Sequence, residues 1–257
     1  MVLVLSLLQC MAVFLVLRLR GKTSEKQRAD WLHRSCRMVL RRMGFSLHAA
    51  SPGMDGILIV SNHLSYLDIL LYGANSPCVF VAKSEVRSWP LLGLLASLGG
   101  TVFVDRTSTI GAAQAAAKIQ SLLHLDINVL IFPEGTSSDG SSVLRFYPSL
   151  FEPAVRAGVP ILPAAIGYSA SSMLERDLCY YGDISFGPHL LQTLELPDVS
   201  GMIRFATGAK IYSNRKDAAL AAHLQVVDLR SRILEAQAPG AETLAVNQRS
   251  GAEISQL

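Results

Sequence analysis

Residues 56–68 read GILIVSNHLSYLD. The first six are small, aliphatic or β-branched, the composition of a strand buried on both faces. The apolar run stops at Asn62, and from Leu67 a helix-like pattern continues to residue 74. A buried strand that turns through polar residues into a helix is the first half of an α/β unit. The same alternation recurs downstream. Strands are predicted over 78–82, 101–105, 127–132 and 160–166, and helices over 67–74, 90–98, 109–123 and 150–157. Residues 183–186 and 202–206 read as later strands, and 217–236 as a helix. The pattern predicts an α/β domain whose mixed, largely parallel sheet is covered by helices.

Upstream, residues 1–17 (MVLVLSLLQCMAVFLVL) carry no charge and only Ser6 and Gln9 as polar interruptions. As a helix this stretch is roughly 25 Å long, a little short of the ~30 Å hydrocarbon core. Its positive charges follow the apolar run, and no small-residue cleavage site comes after it, so it reads as an uncleaved membrane anchor. Whether it is a short span or a half-buried helix stays open. Arg18 and Arg20 place the following domain on the cytoplasmic face. Over 24–43, Trp31, Leu32, Cys36, Val39, Leu40 and Met43 recur at steps of three and four between arginines. A basic amphipathic helix lying on anionic lipid is preferred to a surface helix packed on the domain. The expected organisation is an anchor (1–20), a basic amphipathic helix (21–50), a main domain (51–236) and a flexible tail (237–257).

Composition agrees with a chain that meets lipid. Of 257 residues 50% are hydrophobic and only 17% charged, against about 25% charged in ordinary soluble domains. The net charge of +3 is unevenly placed. Residues 18–42 hold nine basic and two acidic side chains, leaving 14 basic against 18 acidic elsewhere. That balance excludes a nucleic-acid-binding body. Cys10, Cys36, Cys78 and Cys179 form no CxxC pair, and the six histidines form no ligand-spaced set, so no metal site is expected.

The chemistry is predicted where strands end. His63 and Asp68 flank a strand-to-helix turn, close enough for the carboxylate to hold one ring nitrogen and leave the other free. A carboxylate so placed fixes the tautomer and stabilises the imidazolium that forms when His63 takes a proton from a hydroxyl. The second block, FPEGTSSDG (132–140), offers a glycine-bearing turn with amides and hydroxyls suited to an anion. It is neither a GxSxG elbow nor a Walker A loop. GGTVFVDR (99–106) puts Arg106 at a strand end, where it suits a phosphate, and VPILP (159–163) brackets an apolar pair with prolines, the mark of an edge strand.

These four blocks, in this order, resemble the glycerolipid acyltransferase family typified by 1-acyl-glycerol-3-phosphate acyltransferase, over residues 60–165. The resemblance implies a membrane-bound enzyme moving a fatty acyl group from a thioester, acyl-CoA or acyl carrier protein, to a lysolipid hydroxyl. It implies His63 as general base and Asp68 as its orienting partner. Glu134, Gly135 and Thr136, with Arg106, would hold the acceptor headgroup, and Asn62 is grouped with these binding residues. Pro163 and its neighbours would shape the acyl-donor side. Lysolipid, thioester and membrane lipids are the implied partners, with no nucleic acid and no cofactor beyond the donor itself. One departure bears on the acceptor. Ser137 stands where many phosphatidate-forming members place an arginine, and Arg145 lies further along the same loop. Removing a cation from a phosphate clamp weakens binding of a dianionic headgroup. The leading acceptor is 1-acyl-glycerol-3-phosphate; a lyso-ornithine lipid or lysophosphatidylethanolamine is the alternative, and an inactive lipid-binding scaffold the alternative of another class.

Overall fold

Strand β2 (Leu58–Ser61) is buried throughout and lies near the middle of a seven-stranded sheet. The computed structural model describes residues 2–21, 23–89, 92–105 and 107–237. The other strands are β1 (Ser46–Ala49), β3 (Val79–Lys83), β4 (Val102–Val104), β5 (Val129–Ile131), β6 (Ile161–Ser169) and β7 (Ser200–Phe205), in the order β1-β7-β6-β2-β5-β3-β4. Every neighbouring pair is parallel except β6 and β7. The sheet is therefore mixed and largely parallel, with aliphatic central strands because helices cover both faces.

Against one face lie α1 (Val2–Leu19), α2 (Glu25–Met43), α3 (Leu67–Asn75), α4 (Leu92–Leu98) and α8 (Phe186–Glu195). Against the other lie α5 (Thr109–His124), α6 (Glu152–Ala157) and α9 (Arg215–Gln237). Pleating sends alternate residues to the two cores. Ile57, Ile59, Leu162, Ala164, Ile166 and Tyr168 enter the first, and Leu58, Val60, Ile161 and Ala165 the second.

Three expectations change. Residues 183–186 form a turn and the start of α8, not a strand. Gly182 at φ 57° turns the chain there, and Phe186 joins the α8 aromatic cluster, so tertiary packing overrides the short apolar pattern. The sheet takes in Ser46–Ala49, paired with β7, so its first strand lies inside the segment assigned to the basic helix (21–50). VPILP ends on a central strand, with Pro163 opposite Val60 of β2. Proline is tolerated because its missing N–H faces the β7 side, where that strand has ended at Phe205; Pro163 O still accepts from Ala206 N–H at 2.9 Å. The tail expected over 237–257 lies, beyond Gln237, outside the described residues.

The N-terminal helices form a unit. Helix α1 is long and apolar enough to cross a membrane. It buries Ser6, Cys10 and Phe14 on one side and exposes Leu5, Leu8, Leu15 and Val16 on the rest. The apolar stripe of α2 is taken up by protein, chiefly α1 and α3. Trp31 donates its indole N–H to Cys10 O at 3.0 Å and meets Phe14 edge-on. Arg34, Arg37, Arg41 and Arg42 stay exposed, and Arg42 reaches back to Gln9 Oε1 at 2.6 Å.

Candidate active site

His63 follows the C-terminal end of β2, and Asp68 sits in the first turn of α3. His63 Nδ1 donates to Asp68 Oδ2 at 2.6 Å. The same oxygen accepts the backbone N–H groups of Leu64 (2.8 Å) and Ser65 (3.2 Å), and Oδ1 accepts the Tyr168 hydroxyl. Asp68 is fully buried, so each of these donors counts toward satisfying it. With Nδ1 given to the carboxylate, Nε2 is the acceptor nitrogen. The imidazole lies flat on Phe132, centroids 4.2 Å apart, and its side chain is 23% exposed.

The second loop closes around the same histidine. Phe132 to Gly135 is a tight turn, with Gly135 N–H on Phe132 O at 3.1 Å and Gly135 at φ 72°, a conformation that favours glycine. Glu134 is buried at 3% exposure. Its Oε2 accepts His63 N–H at 3.3 Å and its Oε1 accepts Leu144 N–H at 3.1 Å. Burial pushes the Glu134 carboxyl up from 4.5 to about 8, against the pull of those two N–H groups. On the other side of the peptide, Ser138 N–H donates to His63 O at 3.0 Å. The loop thus grips the backbone of His63 from both directions.

The residues singled out from sequence separate into groups. His63, Asp68 and Glu134 come together, with Gly135 and the exposed Thr136 on the loop beside them. Both ends of the Asn62 amide are occupied by the Ile166 backbone, at 3.0 and 2.9 Å, so Asn62 extends the β2–β6 ladder. Pro163 alternates with Leu162 and Ala164 and points to the face carrying α9, away from the core in which His63 stacks on Phe132. Arg106 lies outside the described residues. Ser137 donates its hydroxyl to Tyr180 O, and Arg145 is exposed. Sequence reading missed Phe132 as the platform for His63 and Tyr168 as a donor to Asp68. The apolar alternation Ala164, Ile166, Tyr168 continues past residue 166 and was the available signal.

An apolar cavity of about 270 Å³ runs between α1, α2, α3, α4 and α8. Its walls include Leu3 and Leu7 of α1, Cys36 of α2, Leu95 of α4 and Phe186 of α8; His63, Asp68 and Glu134 do not line it, and its nearest approach along the chain is at Tyr66 and Leu67. A larger polar cleft of about 500 Å³ lies at the β4 edge, lined by Glu25, Arg28, Arg87 and Lys118, and includes no member of the His63 cluster.

A histidine whose Nδ1 is held by a buried carboxylate at the carboxyl end of a central parallel strand has its other ring nitrogen available to accept a proton. The chain belongs to the acyltransferase family, whose model matches residues 32–167. It is similar to the lyso-ornithine lipid O-acyltransferase of Pseudomonas aeruginosa, 38% identical over 62% of this chain and 60% of that protein. It is also similar to the 1-acyl-sn-glycerol-3-phosphate acyltransferase of Neisseria meningitidis serogroup B, 36% identical over 51% of this chain and 53% of that protein. In each case the match spans less than two thirds of the relative's length. The fold matches the crystal structure of a 1-acyl-sn-glycerophosphate acyltransferase from Thermotoga maritima with a TM-score of 0.53 at 19% identity, covering 90% of this chain and 98% of that one.

Proposed function

We propose that the chain is a membrane-associated O-acyltransferase that moves a fatty acyl group from an acyl thioester, acyl-CoA or acyl carrier protein, to the free hydroxyl of a lysolipid of the 1-acylglycerol-3-phosphate type. The observation that carries this reading is the His63–Asp68 pair, in which the buried carboxylate takes Nδ1 and leaves Nε2 as the acceptor nitrogen. The acceptor hydroxyl gives its proton to His63 Nε2 as its oxygen attacks the thioester carbonyl carbon. Collapse of the tetrahedral intermediate breaks the C–S bond, and the proton passes from His63 to the leaving thiolate. The thioester is already activated, so the chain supplies positioning and one base rather than a cofactor. Thr136 and Gly135 face the acceptor headgroup, while Glu134 holds the loop that carries them; the family resemblance adds Arg106 to the headgroup-binding residues. The exposed side of α1 and the arginines of α2 meet the lipid and its headgroups on the cytoplasmic face.

A second reading of the acceptor, a lyso-ornithine lipid, is favoured by Ser137. Its hydroxyl is committed to Tyr180 O, so this position supplies no cation for a phosphate dianion. The test is a panel of lysophosphatidic acid, lysophosphatidylethanolamine and lyso-ornithine lipid with thioester donors and detergent-purified protein, His63→Ala being the control. Acylation of lysophosphatidic acid, lost in the variant, supports the first reading. Product from lyso-ornithine lipid alone supports the second, and no product from any pair sinks both.

A further inference from the structure

We infer that Arg230 of α9, acting through Glu175, is a positioning residue that holds both halves of the catalytic site from the opposite face of the sheet. The inference rests on His63 being the base. Arg230 is 3% exposed and is the one lysine or arginine among the described buried residues. It sits on the buried stripe of α9 with Ala222, Val226 and Ile233. Its guanidinium forks between two partners. Nη1 donates to Glu175 Oε1 at 2.9 Å, and Nη2 donates to Glu175 Oε2 and to Gly140 O, the latter at 3.1 Å. Glu175 lies in the short helix α7 (Glu175–Leu178).

Two lines of contact leave this fork. Through Glu175, whose Oε1 accepts Tyr168 N–H at 2.7 Å, it fixes the end of β6 and so the tyrosine whose hydroxyl donates to Asp68. Through Gly140 it fixes the second loop. Gly140 N–H bonds Ser138 Oγ at 3.3 Å, and Ser138 N–H bonds His63 O. The chain leaves room for the guanidinium at both places. A Cβ on Gly140 would stand 2.9 Å from Nη2, and one on Gly167 would stand 2.5 Å from Nη1. Charge fits the same picture, because Asp68, Glu134 and Glu175 gather in one buried region around a single guanidinium. Burial raises the Glu175 carboxyl and Arg230 pulls it back down. Glu175 and Arg230 both lie beyond the family match at 32–167. Neither touches His63, so their effect passes through Tyr168 and the loop.

The test uses the full chain in detergent with Tyr168→Phe, Glu175→Gln and Arg230→Met. Each variant is followed by thermal unfolding, by kcat and KM for both substrates, and by the hydrogen-bonded Nδ1 proton of His63 in the NMR spectrum. A loosened pair should lower kcat by about 10- to 100-fold, the scale of a small misplacement of a reacting group. KM should stay within about threefold, since no substrate contact is removed. The Nδ1 proton resonance should move or broaden in all three variants. Tyr168→Phe and Glu175→Gln unfolding like the parent with unchanged kcat and unchanged Nδ1 signal would overturn the inference, whether or not Arg230→Met folds. A raised KM with unchanged kcat would also overturn it, assigning these residues to binding. If the parent acylates no acceptor, the proposed function fails alone, and the Nδ1 signal still decides the positioning role.

Discussion

Asp68→Asn separates the two things a carboxylate does for a histidine, holding it still and stabilising its charge. Asp68 Oδ2 takes three donors (His63 Nδ1, Leu64 N–H and Ser65 N–H), while Oδ1 takes only the Tyr168 hydroxyl. The amide oxygen of the variant can occupy the first position and keep all three. Its NH2 then faces Tyr168, whose hydroxyl must turn to accept and leave its own proton unpaired. That costs about 1–2 kcal/mol of stability, the usual penalty for one buried unsatisfied donor. The charge effect is larger. A negative charge about 4 Å from the forming imidazolium, at an effective dielectric near 20, contributes about 4 kcal/mol. Its loss slows the chemical step by roughly 10³-fold. Asp68→Ala, in contrast, leaves four donors without an acceptor and should unfold at a markedly lower temperature. The assay is a pre-steady-state acylation time course with long-chain acyl-CoA and the best acceptor, alongside a melting curve. A variant that melts a few degrees low but retains kcat within about tenfold of the parent would refute the charge argument, leaving Asp68 as an orienting group only.

The remaining predictions address the loop, the headgroup and the groove. Glu134 ionises near 4.5 in the unfolded chain but near 8 in the folded one, so its contribution to stability is fully present below about pH 4.5 and is lost as pH rises through 8. The melting temperature should fall across that window by an amount worth a few kcal/mol, and Glu134→Gln should flatten the pH dependence while lowering stability at pH 5, because its NH2 must face a backbone N–H. An unchanged slope in the variant contradicts the assignment. Ser137→Arg should raise kcat/KM for lysophosphatidic acid relative to lyso-ornithine lipid by about tenfold, the value of one charge-assisted contact; an unchanged ratio places the headgroup elsewhere. Leu95→Trp fills part of the groove and should penalise longer acyl chains by about fourfold per methylene no longer buried, from ~0.8 kcal/mol each. A uniform loss at every chain length would instead mean that the groove takes no chain.

The central strand and the His63–Asp68 pair were legible because both are local. GILIVS declares a buried strand by composition, and His63 and Asp68 meet across one turn. The strand order, the antiparallel β6–β7 pair and the place of Pro163 at the centre of the sheet depend on partners far along the chain, and periodicity carries no information about them. Helix α2 shows the limit of an amphipathic pattern. The stripe Trp31, Leu32, Cys36, Val39 and Leu40 says that a face is covered, and α1 and α3 cover it here. Asn62 and Glu134 belong to the right blocks, yet their polar atoms are used to join segments. Arg230 was readable only as an arginine on an otherwise apolar stripe, and its partners, Glu175 and Gly140, come from two other parts of the chain.

On the proposed reading, the placement of α1 links anchoring to catalysis. Moving a sixteen-carbon acyl chain from bilayer to site through water would expose on the order of 10 kcal/mol of apolar surface, at ~0.8 kcal/mol per methylene. A path that keeps the chain covered removes that barrier. Leu3, Leu7 and Cys10 of α1 line the groove on one side, while Leu5, Leu8 and Leu15 of the same helix are bare on the outside. One helix therefore presents apolar surface to the lipid and to the cavity, with Tyr66 at the groove wall and His63 three residues earlier in the chain. On the proposed reading, the acyl chain passes between these two surfaces without leaving a hydrocarbon environment. On the same reading, the exposed arginines of α2 stay at the interface, where the headgroup and its hydroxyl must stop. On that reading, a base at His63 stands at the carboxyl end of β2, on the sheet face that carries α1.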